Sequence, residues 1–125
     1  MTVGQKLPHD AAWMHVSGNA RYVDDIPVPD NCLHLAFGLS TIAHGHILSM
    51  NIAAVRAAPG VVNVLTADDL PGANDVSPSA HDEPLLSDGS VHYVGQPLFL
   101  VLATSHLAAR KAARLAKVQY REKKP

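Results

Sequence analysis

Large apolar side chains stand at Leu33, Leu35, Phe37 and Leu39, separated by His34, Ala36 and Gly38. That is the period-two pattern of a strand with one buried face. Ile47 to Ile52 predicts a second strand, reached through His44-Gly45-His46. Val61-Val62-Asn63-Val64-Leu65 is the most β-branched run and predicts a central strand. Leu98 to Ala103 is apolar without a break, as a strand covered on both faces is. Leu85-Leu86 and Val91-His92-Tyr93, flanking a turn at Asp88-Gly89, are shorter candidates, and so is Val118-Gln119-Tyr120 near the end.

The strongest helical pattern precedes that last strand. Ala108, Ala112, Leu115 and Ala116 make an apolar stripe, and Thr104 or Ser105 can cap it. Arg110, Lys111, Arg114 and Lys117 fall on the opposite side, towards the C-terminal half, where the helix dipole favours cations. His9 to Val16 predicts about two turns, with Asp10 as N-cap and Gly18 as stop. Ala53 to Ala57 predicts a short helix ended by Pro59-Gly60, and Thr66 a cap for a turn over Ala67-Asp68-Asp69-Leu70. Ala20 to Val23 is strand-like. Asp24 to Asn31, with two prolines and three aspartates, reads as a loop. Residues 72–84 show no periodicity and form a long loop, expected to be the most mobile internal segment. The sum is a loose arm over residues 1–8 and one α/β (α+β) domain over 9–125, with a mixed sheet and a C-terminal helix.

At 125 residues the chain holds one compact domain more comfortably than two. Apolar residues make up 47% but aromatics only 5%, so the core must rest on Val, Leu, Ile and Ala. Ten basic residues stand against eleven acidic ones. Without a basic surplus, nucleic acid and anionic membranes are poor candidates as partners. No apolar run approaches the roughly twenty residues that span a bilayer, and Met1 to Pro8 lacks the apolar core of a signal peptide. The single cysteine, Cys32, allows no internal disulfide and no thiolate cluster. It fits a cytoplasmic setting and is expected to be a buried or inert thiol.

Candidate chemistry is thin. Of eight histidines, His44 and His46 would share one face of a strand and could form half of a metal site. No H-E-x-x-H accompanies them. Asp24-Asp25, Asp68-Asp69 and Asp82-Glu83 read as solvated loop charge rather than as acid/base pairs split in pKa. The glycines form neither G-x-G-x-x-G nor G-x-x-x-x-G-K-[ST], and no G-x-S-x-G elbow occurs. The basic stripe of the last helix lacks the interleaved aromatics that stack nucleic-acid bases. No catalytic, cofactor-binding or metal-ligating residue is therefore assigned.

Four motifs, taken in order, carry more information than any one alone. They are Ser17-Gly18-Asn19-Ala20-Arg21-Tyr22-Val23-Asp24-Asp25-Ile26, Val55-Arg56-Ala57-Ala58-Pro59-Gly60-Val61, Thr66-Ala67-Asp68-Asp69-Leu70-Pro71-Gly72 and Tyr93-Val94-Gly95-Gln96-Pro97. This series, over roughly residues 9–121, resembles the α/β hammerhead domain of the molybdenum hydroxylases, the xanthine dehydrogenase and aldehyde oxidase group. Ala43-His44-Gly45-His46-Ile47 resembles the family's A-H-[GA]-[RK]-I turn, with His46 where a basic residue is usual. Pro8-His9-Asp10-Ala11-Ala12-Trp13 followed by Val16-Ser17-Gly18 is most similar to bacterial xanthine dehydrogenase large subunits.

The resemblance implies a hammerhead module at the start of a molybdopterin-binding large subunit. It would be a scaffold and channel wall for purine hydroxylation, inactive alone, with the remaining molybdopterin-binding domains and an iron–sulfur/FAD subunit as partners. The molybdopterin-bound molybdenum, [2Fe-2S] clusters and FAD of such enzymes would lie outside these residues. It also implies that the loop between Pro71-Gly72-Ala73-Asn74 and Asp82-Glu83 borders the substrate channel, with Pro78, Ser79, Ala80 and His81 at its middle. The alternative is a free-standing interaction module from a split or truncated gene. As an isolated module the chain is expected to expose an apolar patch and form a homodimer.

Overall fold

The computed structural model describes residues 3–124. They fall into two compact units, Met1–Asp30 and Asn31–Pro125.

In the first unit, helix α1 spans Ala12–Val16 and buries none of its residues. Its N-cap is Ala11, with no side-chain hydrogen bond, so Asp10 does not cap it. Gly18 does end it: φ is +74° there, and the Asn19 and Ala20 amides both donate to the Met14 carbonyl at 2.8 and 2.9 Å. The strand expected over Ala20 to Val23 is absent. A 3-10 turn, Val23–Asp25, begins at its end, and the Tyr22 amide donates to the Asp25 carboxylate at 2.9 Å. A carboxylate three residues on captures the N–H that a strand partner would need.

In the second unit the order is β1 (His34–Leu39), β2 (Gly45–Asn51), α2 (Ala53–Arg56), β3 (Val61–Leu65), β4 (Ser90–Val91), β5 (Pro97–Ala103), α3 (His106–Ala113) and β6 (Lys117–Glu122). The α/β class stands. In place of one mixed sheet, the strands form two three-stranded sheets, β1-β5-β3 and β4-β2-β6, with every pairing antiparallel. The helices explain this. Both α2 and α3 carry the chain from one sheet to the other, so neither returns it to a parallel neighbour in the same sheet.

The central strand is β5, not β3. Its unbroken apolar run buries Leu98, Phe99, Val101 and Ala103. At the edge, β3 buries only Val64, and its register slips between Val61 and Asn63. Ser105 caps α3, its hydroxyl oxygen accepting from the Ala108 amide at 3.2 Å. The face that α3 buries is Ala109 and Ala112 rather than a stripe reaching Leu115, because the helix ends at Ala113.

The largest departure concerns which face of β1 is buried. Ala36 and Gly38 point into the core, and the row of large side chains points out: Leu35 is 54% exposed, Phe37 46% and Leu39 51%. The alternation located the strand correctly but not its inner side. A helix that presents only alanines approaches a sheet closely, and close approach needs small residues beneath it. Phe99 reaches across Gly38 from β5 and takes the room that a side chain there would fill. Cys32, just before β1, is exposed, with its thiol 3.6 Å from the Leu33 carbonyl. The buried thiol expected from composition is corrected with it, since Cys32 lies outside the strand's core-facing residues.

Candidate functional site

The loop over residues 72–84 is built from its own polar side chains. Asn74 clamps its base: the amide nitrogen donates to the Leu86 carbonyl at 2.6 Å, and the amide oxygen accepts from the Leu86 amide at 3.0 Å. One side chain thus supplies both hydrogen bonds of a ladder rung. The Val76 amide donates to the Glu83 carbonyl at 2.9 Å, closing the loop above that clamp. Leu86 is fully buried, and the Ser87 amide donates to the Pro97 carbonyl of β5 at 2.8 Å. The foot of the loop is therefore fixed to the central strand.

Within that frame Asp75 organises the tip. It accepts from the Ser77 amide at 2.9 Å, from the Ser77 hydroxyl, and from Nδ1 of His81. The Ser77 oxygen in turn accepts from the Asp82 amide at 3.1 Å. His81 has φ +55°, the one non-glycine in the left-handed region among the described residues. Such a conformation persists where surrounding bonds over-determine it, and here the Asp75 contact does so. The Ser77 hydroxyl, then its amide, then His81 hold the Asp75 carboxyl below the usual carboxylate range.

Pro78, Ser79, Ala80 and His81 form an exposed tip on this anchored frame, and the His81 ring is 80% open to solvent. The composition of 72–84 signals a loop, but not the side-chain frame inside it. Asn74, Asp75 and Ser77 were the legible clue, since Asx and Ser side chains at two-residue spacing bond their own backbone. Chemically, the tip offers contact area and one carboxylate engaged in hydrogen bonds, with no nucleophile–base pair.

The histidines do not pair as their spacing predicts. His44 precedes β2, and its Nδ1 lies 2.8 Å from the Lys124 carbonyl. Its ring stacks at 6.5 Å on His92, while His46 sits on β2 opposite Ser90 and Arg121. Among the described residues, no three His, Cys, Asp or Glu side chains converge as metal ligands. Asp69 accepts from the Thr66 amide and hydroxyl at 2.7 and 2.9 Å, and those bonds hold its carboxyl low. It is a capping group. Asp25 has the corresponding role at Tyr22.

The Gly95-Gln96 motif has an architectural reason. Gln96 is buried, its side-chain oxygen accepts from the His92 amide at 2.7 Å, and its own amide donates to the Ser40 hydroxyl oxygen at 3.2 Å. That hydroxyl donates to the Tyr93 carbonyl at 2.7 Å. The network ties the turn before β5 to the end of β1 and leaves no described buried side-chain polar atom unpaired.

Comparison with known proteins agrees with the fold. Residues 17–124 match the family described as aldehyde oxidase and xanthine dehydrogenase, a/b hammerhead domain. Xanthine dehydrogenase of Oryza sativa subsp. japonica is 40% identical over 120 residues, which is 96% of this chain and 9% of that protein. Aldehyde oxidase 1 of Bos taurus is 39% identical over 124 residues, 98% of this chain and 9% of that protein. Among solved structures, the aldehyde oxidoreductase of Desulfovibrio desulfuricans ATCC 27774 superposes with a TM-score of 0.84 at 29% identity, covering 94% of this chain and 14% of its own. The chain thus spans about a tenth of the length of the curated relatives it matches.

Proposed function

The chain belongs to the aldehyde oxidase and xanthine dehydrogenase a/b hammerhead domain family, and we propose that it is a scaffold and substrate-channel wall within a molybdenum-dependent purine hydroxylase. The observation that carries this reading is the outward apolar row of β1. A free monomer of this size gains nothing by turning Leu35, Phe37 and Leu39 to water, whereas a module packed on further domains buries them. The small share of each relative that the chain spans supports the same view.

The parent enzyme would hold molybdopterin-bound molybdenum, [2Fe-2S] clusters and FAD. The residues here do not fit an iron–sulfur cluster or a metal ion held by protein ligands. A lone cysteine cannot supply the thiolates of a cluster, and the described His, Cys, Asp and Glu side chains form no ligand set. No chemical step is assigned to this chain. Its contribution is geometric: Asn74 and Leu86 hold the loop foot, Asp75 and Ser77 hold the tip, and Pro78, Ser79, Ala80 and His81 present its border to a substrate channel. A purine is the substrate we favour, on the N-terminal likeness to xanthine dehydrogenases, and the setting is cytoplasmic. No described helix is long and apolar enough to cross a membrane.

The test is a bulky residue at the tip of the assembled enzyme. Ser79→Trp or Ala80→Trp should raise KM for hypoxanthine about fivefold, close to 1 kcal/mol, with metal content unchanged. An unchanged KM, or loss of molybdenum, would remove the tip from the channel.

A further inference from the structure

A groove of about 470 Å³ is lined by residues of β1, α3 and β6. Phe37 and Gly38 of β1 and Tyr120 of β6 are among its lining residues. Arg110 in the last turn of α3 and Arg114, the helix's C-cap four residues on, also line it. Three features of this groove go unused. Both strands bordering it are edge strands, β1 of one sheet and β6 of the other, so each has backbone groups without a ladder partner. The floor is apolar and aromatic. Among the described residues, no carboxylate comes within 4 Å of either guanidinium, the single ion pair being His81 with Asp75.

We infer that this groove binds an extended, acidic polypeptide segment supplied by the part of the parent enzyme that this chain does not span. The segment adds as a strand to the β1 edge, sets an apolar side chain beside the exposed Phe37, and places a carboxylate between Arg110 and Arg114. The occupant's chemistry follows from the lining. An open strand edge selects extended backbone, and paired guanidiniums select a carboxylate through forked hydrogen bonds. The balanced charge of the chain and the absence of stacking aromatics on α3 disfavour a nucleic-acid phosphate. This rests on the reading of the chain as one module of a longer enzyme, and its test is independent of molybdenum or turnover.

The probe is the peptide acetyl-Thr-Val-Glu-Val-Asp-Val-amide, titrated into the ¹⁵N-labelled 125-residue chain, with its Gln/Asn counterpart as control. Amide shifts should centre on Phe37 to Leu39 and on Arg110 to Arg114. The acidic peptide should bind about fivefold more tightly than the control, a preference that Arg110→Gln/Arg114→Gln abolishes and Arg110→Lys/Arg114→Lys largely retains. Far-UV circular dichroism checks that both variants fold. Equal binding of the two peptides, shifts centred elsewhere, or no shift at 5 mM, an order-of-magnitude ceiling for weak recognition of about −3 kcal/mol, would each overturn the inference.

Discussion

Replacing Gly38 by Ala puts the packing of the first sheet to a quantitative test. An alanine Cβ there would fall inside the contact envelope of the Phe99 ring, with even the third-nearest ring atom, Cε2, only 2.5 Å away. Non-bonded carbons settle at about 3.5–4.0 Å, so the ring must retreat by at least about 1 Å. It has little room, since Phe99 is 1% exposed and lies in the core with Val101, Ala109 and Ala112. Overpacking of this kind costs about 1–3 kcal/mol. Partial expulsion of the ring forfeits some of the roughly 1.5–3 kcal/mol of its burial, so Gly38→Ala should cost about 3 kcal/mol. Urea unfolding measures it, as a lower midpoint at unchanged slope. Phe99→Leu removes all three clashing ring atoms, so adding Gly38→Ala to that background should cost less than about 1 kcal/mol, a coupling of about 2 kcal/mol. A cost below about 0.5 kcal/mol for Gly38→Ala, or the same cost in both backgrounds, would refute the account of β1.

Other consequences are independent of that one. Asp75 is held low by Ser77 and His81, so it stabilises the loop above the unfolded carboxyl pKa of about 3.9. That contribution disappears as pH falls through the lower folded value. Asp75→Asn should remove this acid dependence and speed hydrogen exchange at the Ser77 and Asp82 amides at neutral pH, and unchanged exchange would count against the frame. Leu35→Thr with Phe37→Thr should change the stability of the isolated chain by no more than about 1 kcal/mol, because neither side chain is buried. The same pair should weaken concentration-dependent dimers in sedimentation, and a strict monomer before substitution would contradict the open apolar face.

How far the sequence could be read depended on the range of the interactions involved. β5, α3 with its Ser105 cap, and the Thr66–Asp69 turn were legible because each is written in a few consecutive residues. The inner side of β1 was not. Alternation at Leu33, Leu35, Phe37 and Leu39 states that one face is apolar, but the choice of buried face depends on α3, more than sixty residues away, presenting only alanines. β3 read as central from its β-branched content, yet strand order is set by β5 pairing on both sides. In the loop, the glycine and proline positions marked an irregular segment, while the Asn74–Leu86 clamp joins residues twelve apart and leaves no local periodicity. The placing of Pro78 to His81 at an exposed tip follows from that clamp. The proposal that they border a channel rests on family likeness, which the residues of the tip do not themselves encode.

The central claim is that this chain works as one module of a molybdenum enzyme, and the most direct measurement is made on the native assembly. A tag placed on this sequence in its source organism allows the complex to be captured under native conditions. Molybdenum per captured chain is then measured by mass spectrometry of the metal, alongside xanthine-dependent reduction of an electron acceptor. The account predicts about one molybdenum per chain, the stoichiometry of a single substrate-activating metal centre, together with purine oxidation by the assembly and none by the isolated 125-residue chain. Capture of a molybdenum-free assembly without that activity, or turnover by the isolated chain alone, would contradict it.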